Sequence, residues 1–164
     1  MKLFRKAFNK EETEYADTSI VAIADAEMIP AKKVDDVMFA QEMLGQTIAF
    51  KLKSETIAAP CNGILEVMYP TGHAFAIRMQ NGMGILIHVG INTVNLKGKG
   101  FKVLAKQGDH VRAGQKIVNI NSAVIKENGY DSTTMLIVSE PLEENGNVNF
   151  IDFGMVKGGQ IINM

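Results

Sequence analysis

An antiparallel all-β single domain, a sandwich or barrel-like form with short helical turns, is the fold class that this sequence predicts. Three observations predict it. Asn-Gly occurs four times, at Asn62–Gly63, Asn81–Gly82, Asn128–Gly129 and Asn145–Gly146, and such pairs tolerate the positive φ that a tight hairpin turn requires. Between the turns lie short runs of β-branched and aromatic residues, spaced near ten residues apart. Long amphipathic helices are missing from the body of the chain.

Taken in order, the expected strands are Ser19–Asp25, Thr47–Leu52, Gly63–Met68, His73–Met79, Ile85–Val89, Phe101–Leu104, Lys116–Ile120, Met135–Val138 and Val148–Phe153. Phe75–Ala76–Ile77–Arg78–Met79 alternates large apolar residues with Ala76 and Arg78, the pattern of a strand with one face buried. Short helical turns are expected near Val37–Leu44, after Val94 and at Ser122–Lys126. Strands joined by turns at this spacing build a sandwich or barrel. The domain is expected to span 19–164. Residues 1–18 precede it as a flexible or short amphipathic segment: Met1, Phe4 and Phe8 share one helical face, with Lys2, Arg5, Lys6 and Lys10 around them. At most, residues 1–10 would give peripheral contact with an anionic membrane.

The composition narrows the function classes. A chain of 164 residues with 46% hydrophobic content builds a core without disulfides or a structural metal. Seventeen Lys plus Arg against 18 Asp plus Glu leave no basic surplus, which argues against nucleic-acid binding through bulk charge. The lone Cys61 excludes an internal disulfide framework and reads as a small, half-buried residue in a reducing compartment. The longest apolar stretch, Ile85 to Ile91, is interrupted by His88 and is far short of a membrane span. Charges interrupt any apolar region at the N-terminus, so no signal peptide is expected, and the protein reads as soluble and cytoplasmic.

Three histidines remain as candidates for chemistry. His110 enters a strand from the Gly108–Asp109 turn and reads as a solvated turn residue. His73 and His88 lie at the ends of two apolar strands joined through the Asn81–Gly82 turn, so the two imidazoles are expected to face each other, subject to the register. Two histidines without a third ligand make an incomplete metal site, and no serine or cysteine elbow stands near either. Covalent phosphoryl transfer fits two facing imidazoles: a neutral ring nitrogen attacks phosphorus while the neighbouring ring donates an N–H to the equatorial oxygens. The donor ring needs a hydroxyl to hold its tautomer, and Thr71 and Thr93 are both near enough in sequence to supply one. Gly98–Lys99–Gly100 is too short to cradle a nucleotide's phosphates, so the donor would be another protein.

Gly82–Val94, GMGILIHVGINTV, fits at every position the signature of the glucose-type IIA components of the bacterial phosphoenolpyruvate:sugar phosphotransferase system. Asn95–Phe101, NLKGKGF, resembles that family's LKG-x-GF stretch. Ala59–Pro60 with Asn62–Gly63, Thr71–Gly72–His73–Ala74–Phe75, Asp36–Ala40 and Gly108–Gly114 also match its motifs. The resemblance runs over roughly residues 20–140.

The resemblance implies a phosphocarrier. His88 matches the histidine phosphorylated by phospho-HPr through Nε2. His73 matches the partner that supports the phosphoryl group and its passage to a cysteine on the IIB domain of a membrane sugar permease (IIBC). Thr71 matches the hydroxyl that orients this partner. Phe39, Tyr69, Leu86 and Val94 align with the apolar rim of a shallow depression where two protein partners dock in turn, and Asp36 is the clearest acidic residue on that rim. No cofactor or metal is implied. A regulatory binding module, whose contacts with other enzymes or transporters are switched by His88 phosphorylation, is the alternative.

Two departures from the family pattern stand out. Asn92 occupies a commonly acidic position, and in the C-terminal third only isolated residues such as Ser132–Thr133 keep the pattern, so that part is expected to complete the sandwich without bearing on chemistry. Biotinyl and lipoyl carrier domains fail for lack of a modified lysine between methionines. A lysostaphin-like zinc peptidase fails because Ile77 and Gly90 stand where its ligands would be.

Overall fold

The computed structural model describes residues 13–164, and the amphipathic pattern at Met1–Lys10 lies outside them. Eleven strands are defined: β1 (Ala26–Pro30), β2 (Gln46–Leu52), β3 (Thr56–Ala58), β4 (Gly63–Met68), β5 (Ala74–Arg78), β6 (Gly84–Val89), β7 (Phe101–Val103), β8 (His110–Val111), β9 (Lys116–Ile120), β10 (Thr134–Glu140) and β11 (Gly154–Val156). Two short helices, α1 (Val37–Ala40) and α2 (Ser122–Glu127), and 3-10 turns at Ala31–Lys33 and Thr93–Leu96 complete the order.

The strands form an open eight-stranded sheet, β11-β1-β2-β10-β6-β5-β4-β8, and a three-stranded sheet, β3-β9-β7, with every named pairing antiparallel. The main core lies between them. Phe50, Leu65, Phe75, Ile77, Ile85 and Ile87 from the large sheet meet Ile57, Ile117, Val118 and Ile120 from the small one. Alternation along β6 explains the division. Ile85, Ile87 and Val89 are buried in that core, while Leu86 and His88 face the other side and stay half-buried. The fold is a sandwich rather than a closed barrel.

The expected strand at Ser19–Asp25 is instead irregular chain, buried over residues 20–24, with only one bridge, Val21 to Ile161. Its bonds alternate between two neighbours: Val21 N–H donates to Pro60 O and Ala58 N–H to Ile23 O, whereas Ala22 N–H donates to Gln160 O and Gly159 N–H to Ala22 O. Neither neighbour forms a continuous ladder. The expected strand at Val148–Phe153 likewise keeps a single bridge, Phe150 to Asn163, and the ladder there belongs to β11. Before Ser19 the chain already touches the body, since Tyr15 Oη donates to Gly159 O and Asn62 Nδ2 to Tyr15 O.

Only one Asn-Gly pair makes the expected hairpin. Gly82, at φ +96, closes the β5–β6 turn, with Gly82 N–H donating to Met79 O and Met79 N–H to Met83 O. Gly129 instead ends α2: its N–H donates to Lys126 O and that of Tyr130 to Ile125 O, the paired bonds of a Schellman cap. Asn62 ties its side chain to Ala113 N while Gly63 opens β4, and Asn145 carries the positive φ of a loop turn. The same dipeptide satisfies several backbone requirements, and its neighbours decide which. Cys61 is fully buried, and burial pushes its thiol pKa up to about 12, so it is an inert packing residue.

Candidate functional site

His88 sits in a row of residues that crosses the large sheet on the face turned away from the main core. Ile29 pairs with Ala49, Ala49 with Met135, Met135 with His88 and His88 with Ala74. Apolar residues of this face, with Val34, Phe39 and Ile91, form a second, smaller core, and Leu86 packs against it. The small side chains of Ala74 and Ala76, opposite His88 and Leu86, keep the β5 side of this surface low.

The His88 ring is held from three sides. Its Nδ1 lies 2.8 Å from Gly90 O. A carbonyl only accepts, so Nδ1 carries the proton and Nε2 keeps its lone pair. Phe39, carried by α1, stands with its ring centroid 4.9 Å away and its plane at 52°. The His73 ring stands edge-on, centroids 5.5 Å apart and planes at 77°.

His73 occupies the bend before β5. Gly72 N–H donates to Tyr69 O across a tight turn containing Pro70 and Thr71, and Gly72 at φ +76 turns the chain into the strand. This turn sets Thr71 Oγ1 2.6 Å from His73 Nδ1 and the Tyr69 ring 4.9 Å from the His73 ring. A Thr71 hydroxyl that donates to Nδ1 leaves the His73 proton on Nε2.

Thr93, the other hydroxyl considered for this duty, is buried and donates to Val89 O. It holds the turn after β6 and makes no bond to His73. Burial lowers both histidine pKa values from 6.5. For His88 burial is the largest influence, and a charge on His73 would lower its pKa further; the Gly90 carbonyl and the Asp36 carboxylate act in the opposite direction. Both rings are therefore biased toward the neutral state.

The expected rim residues take different positions. Tyr69 and Val94 are exposed, at 46% and 49%. Leu86 is half-buried in the sheet, and Phe39, only 2% exposed, is a wall against His88 rather than an outer rim. Asp36 caps α1, accepting from Met38 N at 2.9 Å and Phe39 N at 3.4 Å, so the carboxylate also fixes the helix that carries Phe39. Val37 and Met38, exposed on the same short helix, are apolar residues that the sequence alone does not single out. Nor does it single out Gly90, because a carbonyl has no side-chain signal. His110 lies on edge strand β8, opposite Ile64 and apart from the other two histidines. No helix among the described residues is long and apolar enough to cross a membrane.

A solved structure, glucose permease IIA from Mycoplasma capricolum, superposes with a TM-score of 0.81 at 32% identity, covering 88% of this chain and 93% of that one. The glucose-specific EIIA component of the phosphotransferase system from Oceanobacillus iheyensis is 36% identical over 137 residues, 84% of this chain and 83% of that protein. The component of the same name from Haemophilus influenzae is 28% identical over 162 residues, 99% of this chain and 93% of that protein. The family model described as phosphoenolpyruvate-dependent sugar phosphotransferase system, EIIA 1, matches residues 18–143. With that match across most of the domain, the chain belongs to the EIIA 1 family of the sugar phosphotransferase system.

Proposed function

We propose that this phosphotransferase-system component carries the phosphoryl group on Nε2 of His88, receiving it from phospho-HPr and passing it to a cysteine of a IIB domain. The observation that carries the reading is the bond from His88 Nδ1–H to Gly90 O, which leaves the lone pair on Nε2, beside a second imidazole held by Thr71. Nε2 attacks phosphorus as the donor's bond to phosphorus breaks, and the donor leaves with that electron pair. The proton stays on Nδ1, so the ring gains positive charge, which the Gly90 carbonyl and the nearby Asp36 carboxylate favour. His73, neutral and protonated on Nε2, donates to an equatorial phosphoryl oxygen. Onward transfer reverses the step: a IIB thiolate attacks, the N–P bond breaks and its electrons return to Nε2.

The apolar surround fits a site reached by protein side chains rather than by a diffusing nucleotide, and it limits water at the labile N–P bond. The names of the relatives make a glucose permease the first recipient to test. The exposed apolar residues Val37, Met38 and Val94 favour a second role, in which the unphosphorylated face binds other proteins and a phosphate on His88 ends that contact. Radiolabel from phosphoenolpyruvate, delivered by enzyme I and HPr, tests the main reading. His88→Ala should take up no label, and His73→Ala should be impaired mainly in passing label to IIB. Full labelling of His88→Ala would overturn the assignment. Capture of partners with and without phosphorylation tests the second role.

A further inference from the structure

We propose that Asp131 is a positioning residue for His88, acting through the Gly90–Ile91 peptide; the inference rests on the reading of His88 as phosphoryl acceptor. The tautomer of His88 depends on one carbonyl, Gly90 O, 2.8 Å from Nδ1. Gly90 lies at φ +83 and has no side chain to hold its peptide in place. What aims the carbonyl is the other end of the same peptide unit. Ile91 N–H donates to Asp131 O at 2.9 Å, and in a trans peptide the N–H and C=O point in opposite directions. Fixing Ile91 N–H on Asp131 therefore turns Gly90 O toward the imidazole.

Asp131 lies three residues before β10, where no sheet ladder defines its backbone. Its own side chain supplies the definition. Oδ1 accepts from Thr133 N at 2.8 Å and from Thr133 Oγ1 at 2.7 Å, closing an Asx turn over residues 131–133. Thr134 Oγ1 adds a bond to Ser132 O. On the other flank Thr93 Oγ1 donates to Val89 O. The peptide that sets the His88 proton is thus held by two hydroxyl-anchored turns, and the farther one belongs to a segment expected to take no part in the chemistry. If the 90–91 peptide rotates, Nδ1 loses its acceptor and the proton is free to move to Nε2, which removes the lone pair from the attacking atom.

Two-bond 1H–15N correlation on ¹⁵N-histidine-labelled full-length protein, without partners, reads which nitrogen of each ring is protonated. Wild type should show the His88 proton on Nδ1. Asp131→Ala should give mixed tautomers at His88 with His73 unchanged, and about a fivefold to tenfold slower uptake from phospho-HPr, as expected for one hydrogen bond. Asp131→Asn, whose amide oxygen still accepts from Thr133, should restore both readouts. Thr133→Ala should shift the tautomer in the same direction and decides the matter if Asp131→Ala does not fold. A His88 proton that stays wholly on Nδ1 in the folded variants, or an Asp131→Asn as defective as the alanine, overturns the proposal. A tautomer shift with unchanged uptake upholds the positioning and overturns instead the role of His88 as acceptor.

Discussion

His73 and His88 meet edge to face with ring centroids 5.5 Å apart, yet they are not cross-strand partners. The residue opposite His88 is Ala74. His73 precedes β5 by one residue, and its carbonyl accepts from Val89 N while the bend brings its ring to the outer face. A regular strand through residue 73 would have sent that side chain to the opposite face from Ala74. The pair therefore depends on the Tyr69–Gly72 turn as much as on the sheet, and the small Ala74 leaves the space into which His73 leans.

The two rings should make folding stability depend on pH. Burial lowers both pKa values from 6.5, so at and below that pH the unfolded chain binds more protons than the folded one. Stability then rises with pH through the interval between the folded values and 6.5, and the contribution levels off above it. Denaturant unfolding measured about one unit below and about one unit above that value should show the loss on the acid side. The His73→Gln/His88→Gln double variant should lose much of this difference. An unchanged pH dependence would place its origin in other groups.

Thr71 is expected to matter through a single atom. Its hydroxyl is the hydrogen-bond partner of His73 Nδ1 at 2.6 Å. Thr71→Val keeps the shape and removes the hydroxyl, so the His73 tautomer should become mixed. Transfer from phosphorylated protein to a IIB cysteine should then slow by about fivefold to tenfold, the worth of one hydrogen bond. Thr71→Ser should recover the rate. A valine variant that transfers at the wild-type rate would show that His73 needs no such support.

The sequence carried the local parts of this structure further than the tertiary ones. β4 and β9 are the expected strands to the residue, because alternating runs bounded by turns leave few other outcomes. Residues 19–25 form no strand for the opposite reason: their backbone groups are satisfied by two separate neighbours, and no local pattern encodes that. The Asn-Gly pairs carried the need for turn chemistry but not which turn. At the site, His73, His88 and Thr71 were legible as side chains in motifs. Gly90 and Asp131 act through main-chain carbonyls, whose partners exist only once β6 and the segment before β10 are side by side.

Asn92 offers a test of how partners are recruited. It is exposed at φ +58, immediately before the 3-10 turn that carries Val94. Aspartate tolerates this left-handed backbone nearly as well as asparagine, so Asn92→Asp should fold normally and add one negative charge beside the rim. Uptake from phospho-HPr at low ionic strength should rise severalfold, and the gain should fade as salt screens the added charge. An unchanged rate and salt dependence would mean that this position does not face a basic partner surface.

Gly90 and Gly82 provide a matched pair that separates loss of stability from loss of chemistry. Both have positive φ, +83 and +96, so alanine at either carries backbone strain of about 1–2 kcal/mol. A Cβ at Gly82 meets nothing within 4 Å, whereas at Gly90 it would lie 2.4 Å from Thr93 Cγ2 and 2.9 Å from Asp131 O. Relief at Gly90 must push apart the two turns that aim the Gly90 carbonyl at His88. Gly82→Ala should therefore lose stability and keep phosphoryl uptake at temperatures where it is folded. Gly90→Ala should lose more stability, about 1–3 kcal/mol beyond the first variant, and its uptake should fall even where circular dichroism shows it folded. Equal uptake by the two folded variants would mean that the close packing at Gly90 serves the fold alone, and that His88 keeps its reactive nitrogen without the carbonyl.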